Sequence, residues 1–396
     1  MEPLSAIAAW ISLAWAALAA GLTGVALFQR WRFGMQARAY RAPSGARPRV
    51  LLVRPCAGDE PYLERCLSSV VRARHHLDLR IVHGVSQADD GAVPTIVRVV
   101  ELIRAAGLQA EHRVVAPRGP NLKASTLSGL TEELAGQFDV VVNVDSNVDL
   151  EGFDLDALVA PLVADTGVGA TWAPPHEHSD APTLGSRAAE AVLSGSLHAF
   201  GLLMGLDPAG LVGKTWALRS DALQAMGGFS PLVNYLGEDH ELAARVQRAG
   251  LRVVPMPSPV RSLVDRRSVD DTVQRQARWL MVIRAQRPWL LLTYPMFFCG
   301  APAVTLLAWL GSLAQPRVAG WALLLAWAAR WTQSALARLF SNSRPGISIA
   351  VVDALLGDWV LWRSLARSLG SREFAWRGRR LRIDRGGLLS AVDGKK

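Results

Sequence analysis

The chain has 396 residues, 50% of them hydrophobic, with a mean hydropathy of +0.19 and a formal net charge of +9. That length accommodates one sizeable α/β domain plus accessory segments, and the hydropathy argues against a wholly soluble protein. The basic residues are almost all arginine and cluster beside apolar stretches, without zinc-finger spacing, an RNA-binding aromatic signature or a basic-region heptad; nucleic acid is thereby excluded as an expected partner, and membrane headgroups are favoured.

Residues 4 to 28 form an uncharged apolar run, long enough for the roughly 20 residues a helix needs to cross a bilayer. Only Glu2 precedes it, whereas Arg30, Arg32, Arg38, Arg41, Arg47 and Arg49 follow with no acid among them. The positive-inside rule then puts the N-terminus outside and the following chain in the cytosol, as for a bacterial inner-membrane protein. A cleaved signal peptide fits less well, because the run has no basic flank before it and exceeds a typical signal core. Residues 1–30 thus read as an N-terminal transmembrane anchor.

From residue 48 to 285 the pattern changes to short β-branched runs alternating with amphipathic stretches. Strands are expected at 50–54, 79–85, 112–116, 138–145 and 168–173, and helices at 60–72, 91–106 and 123–134. Strand and helix in alternation specify an α/β domain with a mostly parallel, Rossmann-like sheet that binds ligands outside its strand C-termini.

Apolar character returns over 286–366, in runs at 289–314, 318–340 and 348–366. The first reads as spanning. The second carries Arg330 and the third Asp353 and Asp358, so these read as paired spanning, re-entrant or interfacial helices with an Arg-to-Asp pairing between them. Residues 367–396 form an arginine-dense tail expected in the cytosol beside the membrane.

Cys56, Cys66 and Cys299 are odd in number and share no ligand spacing, so neither a disulfide framework nor a structural zinc site is expected, and the compartment is taken as reducing. Only four lysines occur, and Lys395 and Lys396 are two of them. The internal pair, Lys123 and Lys214, therefore stands out.

The sharpest chemical signal is the run FDVVVNVDSN, where an apolar strand ends in Asp145, Ser146 and Asn147. A buried parallel strand ending this way delivers a carboxylate to the ligand crevice, and a cation carried on a diphosphate needs only one or two protein carboxylates. Asp145 is the candidate metal ligand, for Mg2+ or Mn2+. Capping the following turn is the structural alternative. A second signal is Glu238-Asp239-His240-Glu241 at a helix start, where acids favour the dipole but three exceed what capping requires; one of them suits a general base. Third, Arg275 and Arg278 share a helix face ahead of Trp279, a geometry for gripping a diphosphate or for lying at a lipid interface. Asp89 and Asp90 after the second strand, and Asn121 and Lys123 before a helix, are weaker on their own. His198 lies in an apolar, small-residue run expected to be helical; His176 and His178 flank Glu177 in a proline-rich loop and lack a third metal ligand.

Taken in order, LLVRPCAGDEPYLERCLSSV, ADD, NLK, VDSN, GEDHE, RQARW and WRGRRLRIDRGG resemble the ceramide glucosyltransferase family, inverting enzymes of the GT-A fold related to family 2 glycosyltransferases. The resemblance implies that Asp90, with Asp89, binds the uridine of a UDP-sugar, that Lys123 lies near it, and that Asp145 anchors the metal and diphosphate. It further implies that Asp239 is the catalytic base, that Arg275 and Arg278 hold the pyrophosphate, and that Trp279 and His198 shape the acceptor site for a membrane lipid. The sequence departs from the family pattern at Arg54, where a lysine is usual, at Gly84 to Gln87, which lack an extra acid, and across 176–212. Other lipid acceptors such as a hopanoid, with N-acetylglucosamine or a uronic acid as the sugar, a polysaccharide synthase and a catalytically silent scaffold are the alternatives.

Overall fold

The computed structural model describes residues 2–40, 47–180, 183–341, 346–376 and 379–392; Arg41, Arg377, Lys395 and Lys396 lie outside them. The chain divides into two compact units. A sheet unit comprises Arg32–Ser179, Asp207–Asp265 and Ala375–Lys396, and a helical unit comprises Met1–Trp31, Asp180–Leu206 and Arg266–Phe374. Arg275, Arg278, Trp279 and His198 thus belong with the apolar helices rather than with the sheet.

In the sheet unit the strands are β1 (Arg49–Pro55), β2 (Asp78–Val85), β3 (Gln109–Val114), β4 (Val140–Val144), β5 (Val148–Asp149), β6 (Val168–Trp172), β7 (Pro175–His178), β8 (Thr215–Arg219), β9 (Arg252–Pro255) and β10 (Val260–Leu263). Seven of them form one sheet in the order β3-β2-β1-β4-β8-β6-β9, and β5-β10-β7 form a small second sheet. All neighbours in the large sheet are parallel except β8, which is antiparallel to both β4 and β6. Every residue of β4 is buried, as befits a central strand covered on both faces.

Most elements fall where the sequence pattern places them, with instructive exceptions. β3 starts three residues before the expected 112–116, because register with β2 recruits the polar Gln109 and Glu111, and Arg80 neutralises Glu111 at 2.6 Å. That polar edge hides the strand from a hydrophobicity pattern. The expected helix over 60–72 is only Leu63–Ser68 plus a 3-10 turn, Ser69–Arg72. His176 and His178 lie in β7, not in a loop.

Two helices of the helical unit invert the usual arrangement of large and small side chains. The helix Glu2–Ala39 buries Ala9, Ser12, Ala16, Thr23 and Ala26 and exposes Leu4, Trp10, Leu18, Phe28 and Trp31. Pro316–Phe340 repeats this, with Ala319, Ala322 and Ala326 inside and Trp321, Leu324 and Trp331 outside. Small residues inside let backbones approach closely, and large apolar residues outside suit helices whose solvent is hydrocarbon. The expected single span at 289–314 is broken: Pro288–Phe298 and Ala301–Gly311 meet at 60°. Pro295 and Pro302 lack amide protons to carry a regular helix through the junction. The first helix is long and apolar enough to cross a membrane, and the bent pair passes the same test taken together.

The anticipated Arg-to-Asp pairing exists twice. Arg330 Nε meets Asp358 Oδ1 at 3.0 Å and Arg338 Nη2 meets Asp353 Oδ1 at 2.5 Å, with all four side chains buried. Ser334 and Glu190 complete the bonds of Asp353 and Arg338. Such a network is tolerable in an apolar interior only because each charge has a partner.

Close packing here is testable. A Cβ on Gly311 would stand 2.6 Å from the backbone of Ala9, whereas one on Gly320 would meet nothing within 4 Å. Gly311→Leu is expected to destabilise the protein by about 1–3 kcal/mol or more, through overpacking. Thermal unfolding in detergent should show a lowered midpoint for it and little change for Gly320→Leu; equal midpoints would refute the packing.

Candidate active site

Parallel strand β4 ends at Val144, and its neighbour β8 begins at Thr215, directly opposite in antiparallel register. The residue after one strand and the residue before the other therefore lie side by side: Asp145 N donates to Lys214 O at 2.9 Å. Their side chains converge as well. Lys123 Nζ lies 2.7 Å from Asp145 Oδ1 and Lys214 Nζ lies 3.5 Å from Asp145 Oδ2. Both internal lysines of this lysine-poor chain thus serve the same carboxylate.

The sequence alternative of a capping role for Asp145 does not describe its side chain. Its backbone carbonyl accepts from Val148 N to form the turn, leaving the carboxylate to the lysines. Burial by itself raises the carboxyl's proton affinity, but the two ammonium groups outweigh it and hold the group below the usual carboxylate range. Burial likewise opposes charge on Lys123, yet Asp145, then Glu238, raise its affinity above the ordinary lysine value. Arg54 is fully buried and donates to the carbonyls of Cys66, Asp145 and Val148. It fixes the backbone on which Asp145 stands.

Asp239 opens the helix Glu238–Arg248, as the acidic pattern predicts. Its carboxylate accepts two backbone amides, Gly213 N at 2.8 Å and His240 N at 2.9 Å. A carboxylate has about four lone-pair positions, so these bonds orient it without exhausting it. Glu241 is occupied by Arg245 and Arg248, each at 2.7 Å. Glu238 accepts from Asn121 Nδ2 at 3.0 Å and pairs with Lys123 at 3.4 Å; burial raises its proton affinity above the usual range and Asp239 adds to this, against the pull of Lys123.

Gly213 joins these parts. Its carbonyl accepts from Lys123 Nζ and from Asn143 Nδ2, and its amide holds Asp239. A Cβ there would sit 3.1 Å from Asp239 Oδ2 and 3.3 Å from Lys123 Nζ, so a larger residue would crowd both charged groups. The pair Gly213-Lys214 was missed as site machinery in the sequence; the only signal was the scarcity of lysine.

Lys123, expected near the uridine-side acids, makes its ion pairs with Asp145 and Glu238. Asp90 Oδ1 accepts from Gly58 N at 2.7 Å and Ala92 N at 2.9 Å, tying the loop after β1 to the loop after β2, and Asp89 is exposed next to it. In the helical unit, Arg275 and Arg278 share the helix Val269–Gln286, and the Arg275 guanidinium lies 5.1 Å from the Trp279 ring. Burial, then Arg275 and Arg267, push Arg278 down to about 10. His198 is not helical. It sits in the break between Leu184–Ser194 and Phe200–Leu203, where Ser196 Oγ accepts its amide, a local bond that competes with helix. Its ring is buried among Phe200, Trp279, Tyr294 and Phe298, with Nδ1 3.2 Å from Tyr294 Oη. The structure therefore brings Lys123, Asp145 and Asp239 together in one unit, and His198 and Trp279 in the other.

The cation expected at Asp145 can be judged by the donor set. Among the described residues no group of three or more His, Cys, Asp or Glu side chains could cage a metal. Asp145 and, two residues on, the Asn147 carboxamide offer oxygen donors suited to a cation that takes the rest of its shell from phosphate and water. The residues fit a nucleotide-borne Mg2+ or Mn2+, not a protein-only cage.

The tail is not the plain basic segment that its composition suggests. Arg379–Ile383 (β12) and Leu389–Ala391 (β13) form an antiparallel hairpin, after a short strand Glu373–Trp376 (β11). Leu389 N donates to Asn234 O at 2.7 Å and Leu236 N donates to Gly387 O at 3.2 Å. From the other side, Asn121 N donates to Val233 O and Asn121 Nδ2 to Tyr235 O, both at 2.9 Å. The loop leading into Glu238 and Asp239 is thus held on both sides. Leu389→Pro removes one amide donor, and hydrogen exchange of amides 234–240 is expected to accelerate about tenfold or more, the loss of one net hydrogen bond. Unchanged exchange would show that the hairpin does not hold the loop.

The Glycosyl transferase family 21 profile matches residues 11–389. No curated protein matches the chain significantly. Solved structures similar to it include a mannosyltransferase from Pyrobaculum calidifontis in complex with GDP-Man and Mn2+, 18% identical, covering 90% of this chain and 99% of that one with a TM-score of 0.46. Glucosyl-3-phosphoglycerate synthase from Mycobacterium tuberculosis, in complex with Mn2+ and UDP-glucose, is 18% identical over 63% of this chain and 82% of its own, with a TM-score of 0.34. The family profile runs from within the first apolar helix to the C-terminal hairpin, and the chain belongs to glycosyltransferase family 21.

Proposed function

We propose that the protein transfers glucose from UDP-glucose to the primary hydroxyl of a membrane lipid, ceramide, with inversion, so that an α-linked donor yields a β-glycoside. The observation that carries this reading is that Lys123 and Asp239 meet on the backbone of Gly213 while Lys123 pairs with Asp145, at the edge where β4 ends. A donor-side carboxylate and an acceptor-side carboxylate, held in one rigid frame, are what a single displacement requires.

In this reading Asp90, with Asp89, receives the uridine, and Arg275 and Arg278 grip the diphosphate. Asp145 and Asn147 would hold the divalent cation, which when bound supplies charge neutralisation to the departing diphosphate. Asp239, oriented by its two backbone amides, takes the proton from the lipid hydroxyl as its oxygen attacks the anomeric carbon. Trp279 and His198 line the acceptor site. The outward-facing Leu and Trp side chains of the helical unit support insertion in a bilayer, from which the lipid would reach the site. The arginines after the first helix favour the cytosolic face of the cytoplasmic membrane for the sheet unit.

Membranes carrying the protein, incubated with a panel of UDP-sugars and lipids, should yield a β-hexosyl ceramide by mass spectrometry. A hopanoid product would replace the acceptor, a growing polymer would replace the single transfer, and no consumption of any UDP-sugar would overturn the reading. Asp239→Asn is expected to lower the transfer rate by about 10²–10⁴-fold while UDP binding persists. Asp145→Ala is expected to weaken cation-dependent UDP binding about ten- to a hundredfold. Equal donor affinity in wild type and Asp145→Ala would contradict the assignment.

A further inference from the structure

Lys214 has no part in the transfer steps proposed above, yet its ammonium beside Asp145 occupies an informative place. It lies 2.7 Å from Asn147 Oδ1 and 3.5 Å from Asp145 Oδ2, bridging the two oxygen donors that a divalent cation would use. Lys123 covers the other oxygen of the same carboxylate at 2.7 Å. A cation arriving alone would meet two positive groups and would have to evict one of them. We infer that Lys214 keeps free divalent cation off Asp145 until a nucleotide diphosphate arrives, so that cation and nucleotide bind as one unit. This rests on the donor-site reading above.

The exchange is balanced in charge and in hydrogen bonds. A diphosphate brings anionic oxygens to which the ammonium can turn, releasing Asp145 and Asn147 as it does so. Only the side chain needs to move, because the backbone of Lys214 is fixed by its carbonyl bond to Asp145 N and by the start of β8. The side chain is about one-fifth exposed, so it has an open side toward which to swing. Lys214 is thus a positioning residue with two partners in succession, the oxygens of Asp145 and Asn147 first and the diphosphate second.

The test is a Mn2+ titration of the full-length protein in detergent, with free Mn2+ read by electron paramagnetic resonance, with and without UDP. Wild type should take up little Mn2+ alone and much more with UDP. Lys214→Met, which keeps the stem and removes the charge, should bind nucleotide-free Mn2+ about tenfold more tightly or better, from the loss of one adjacent unit charge. It should also bind UDP more weakly, while Lys214→Arg should exclude free Mn2+ as wild type does. Lys214→Gln carries the same expectation as Lys214→Met should that variant fail to fold, as judged by thermal unfolding. If wild type binds Mn2+ with UDP but neither uncharged variant gains nucleotide-free Mn2+, the inference falls and the donor-site reading stands. If wild type binds no UDP under any condition, both fall.

Discussion

A carboxylate largely withdrawn from water needs counter-charge close by, and the arrangement around the part-buried Asp145 follows from that constraint. Lys123 comes from the helix after β3, Lys214 from the start of β8, and Arg54 from β1 secures the carbonyl of the aspartate itself. Three separate strands or helices are thereby registered against one strand end. The same lysine that neutralises Asp145 also reaches Glu238 and the Gly213 carbonyl, so the strand-end acid and the helix-start acids share a cation, and the residue whose carbonyl it holds also holds Asp239 through its amide. Moving any one of these elements would disturb the charge balance of the others.

The antiparallel strand β8 is what makes this possible. In a fully parallel sheet the residue before a strand lies at the end opposite the ligand crevice. Reversing one strand brings its leading residues, Gly213 and Lys214, to the carboxyl end of β4. An α/β pattern of alternating strands and helices predicts the parallel sheet, but nothing local in Thr215–Arg219 announces that it runs the other way. Asp145 and Asp239 were legible because each has a local signature, an apolar strand that stops at a carboxylate and a helix that opens with acids. Lys214 was legible only as an oddity of composition, since its partner lies 2.7 Å away in space and far away in sequence. The same reason hid the ties made by Asn121 and the tail hairpin, and the break at His198, where a serine side chain competes with the helix that the small residues suggested.

The helical unit solves a different problem. Two of its helices, Glu2–Ala39 and Pro316–Phe340, show bulk outward and keep mainly small residues inward, so close backbone approach there replaces the interlocking of large side chains. Within this apolar frame sit the buried pairs Arg330 with Asp358 and Arg338 with Asp353. Arg330 also donates to Gly195 O at 2.8 Å, just ahead of the turn that carries His198. Fixed charges thus set the register of the helices, and they hold the turn on which a ring is presented among four aromatic neighbours.

The hairpin that grips the loop before Asp239 has a consequence for how the protein comes into being. Asn234 is synthesised long before Leu389, and at roughly 5–20 residues per second the interval is on the order of ten seconds. Throughout that time the loop has its Asn121 bonds but lacks its outer ones. The acidic helix start is therefore fully braced only when translation has passed the hairpin, and until then Asp239 stands on a loop tied along one edge alone.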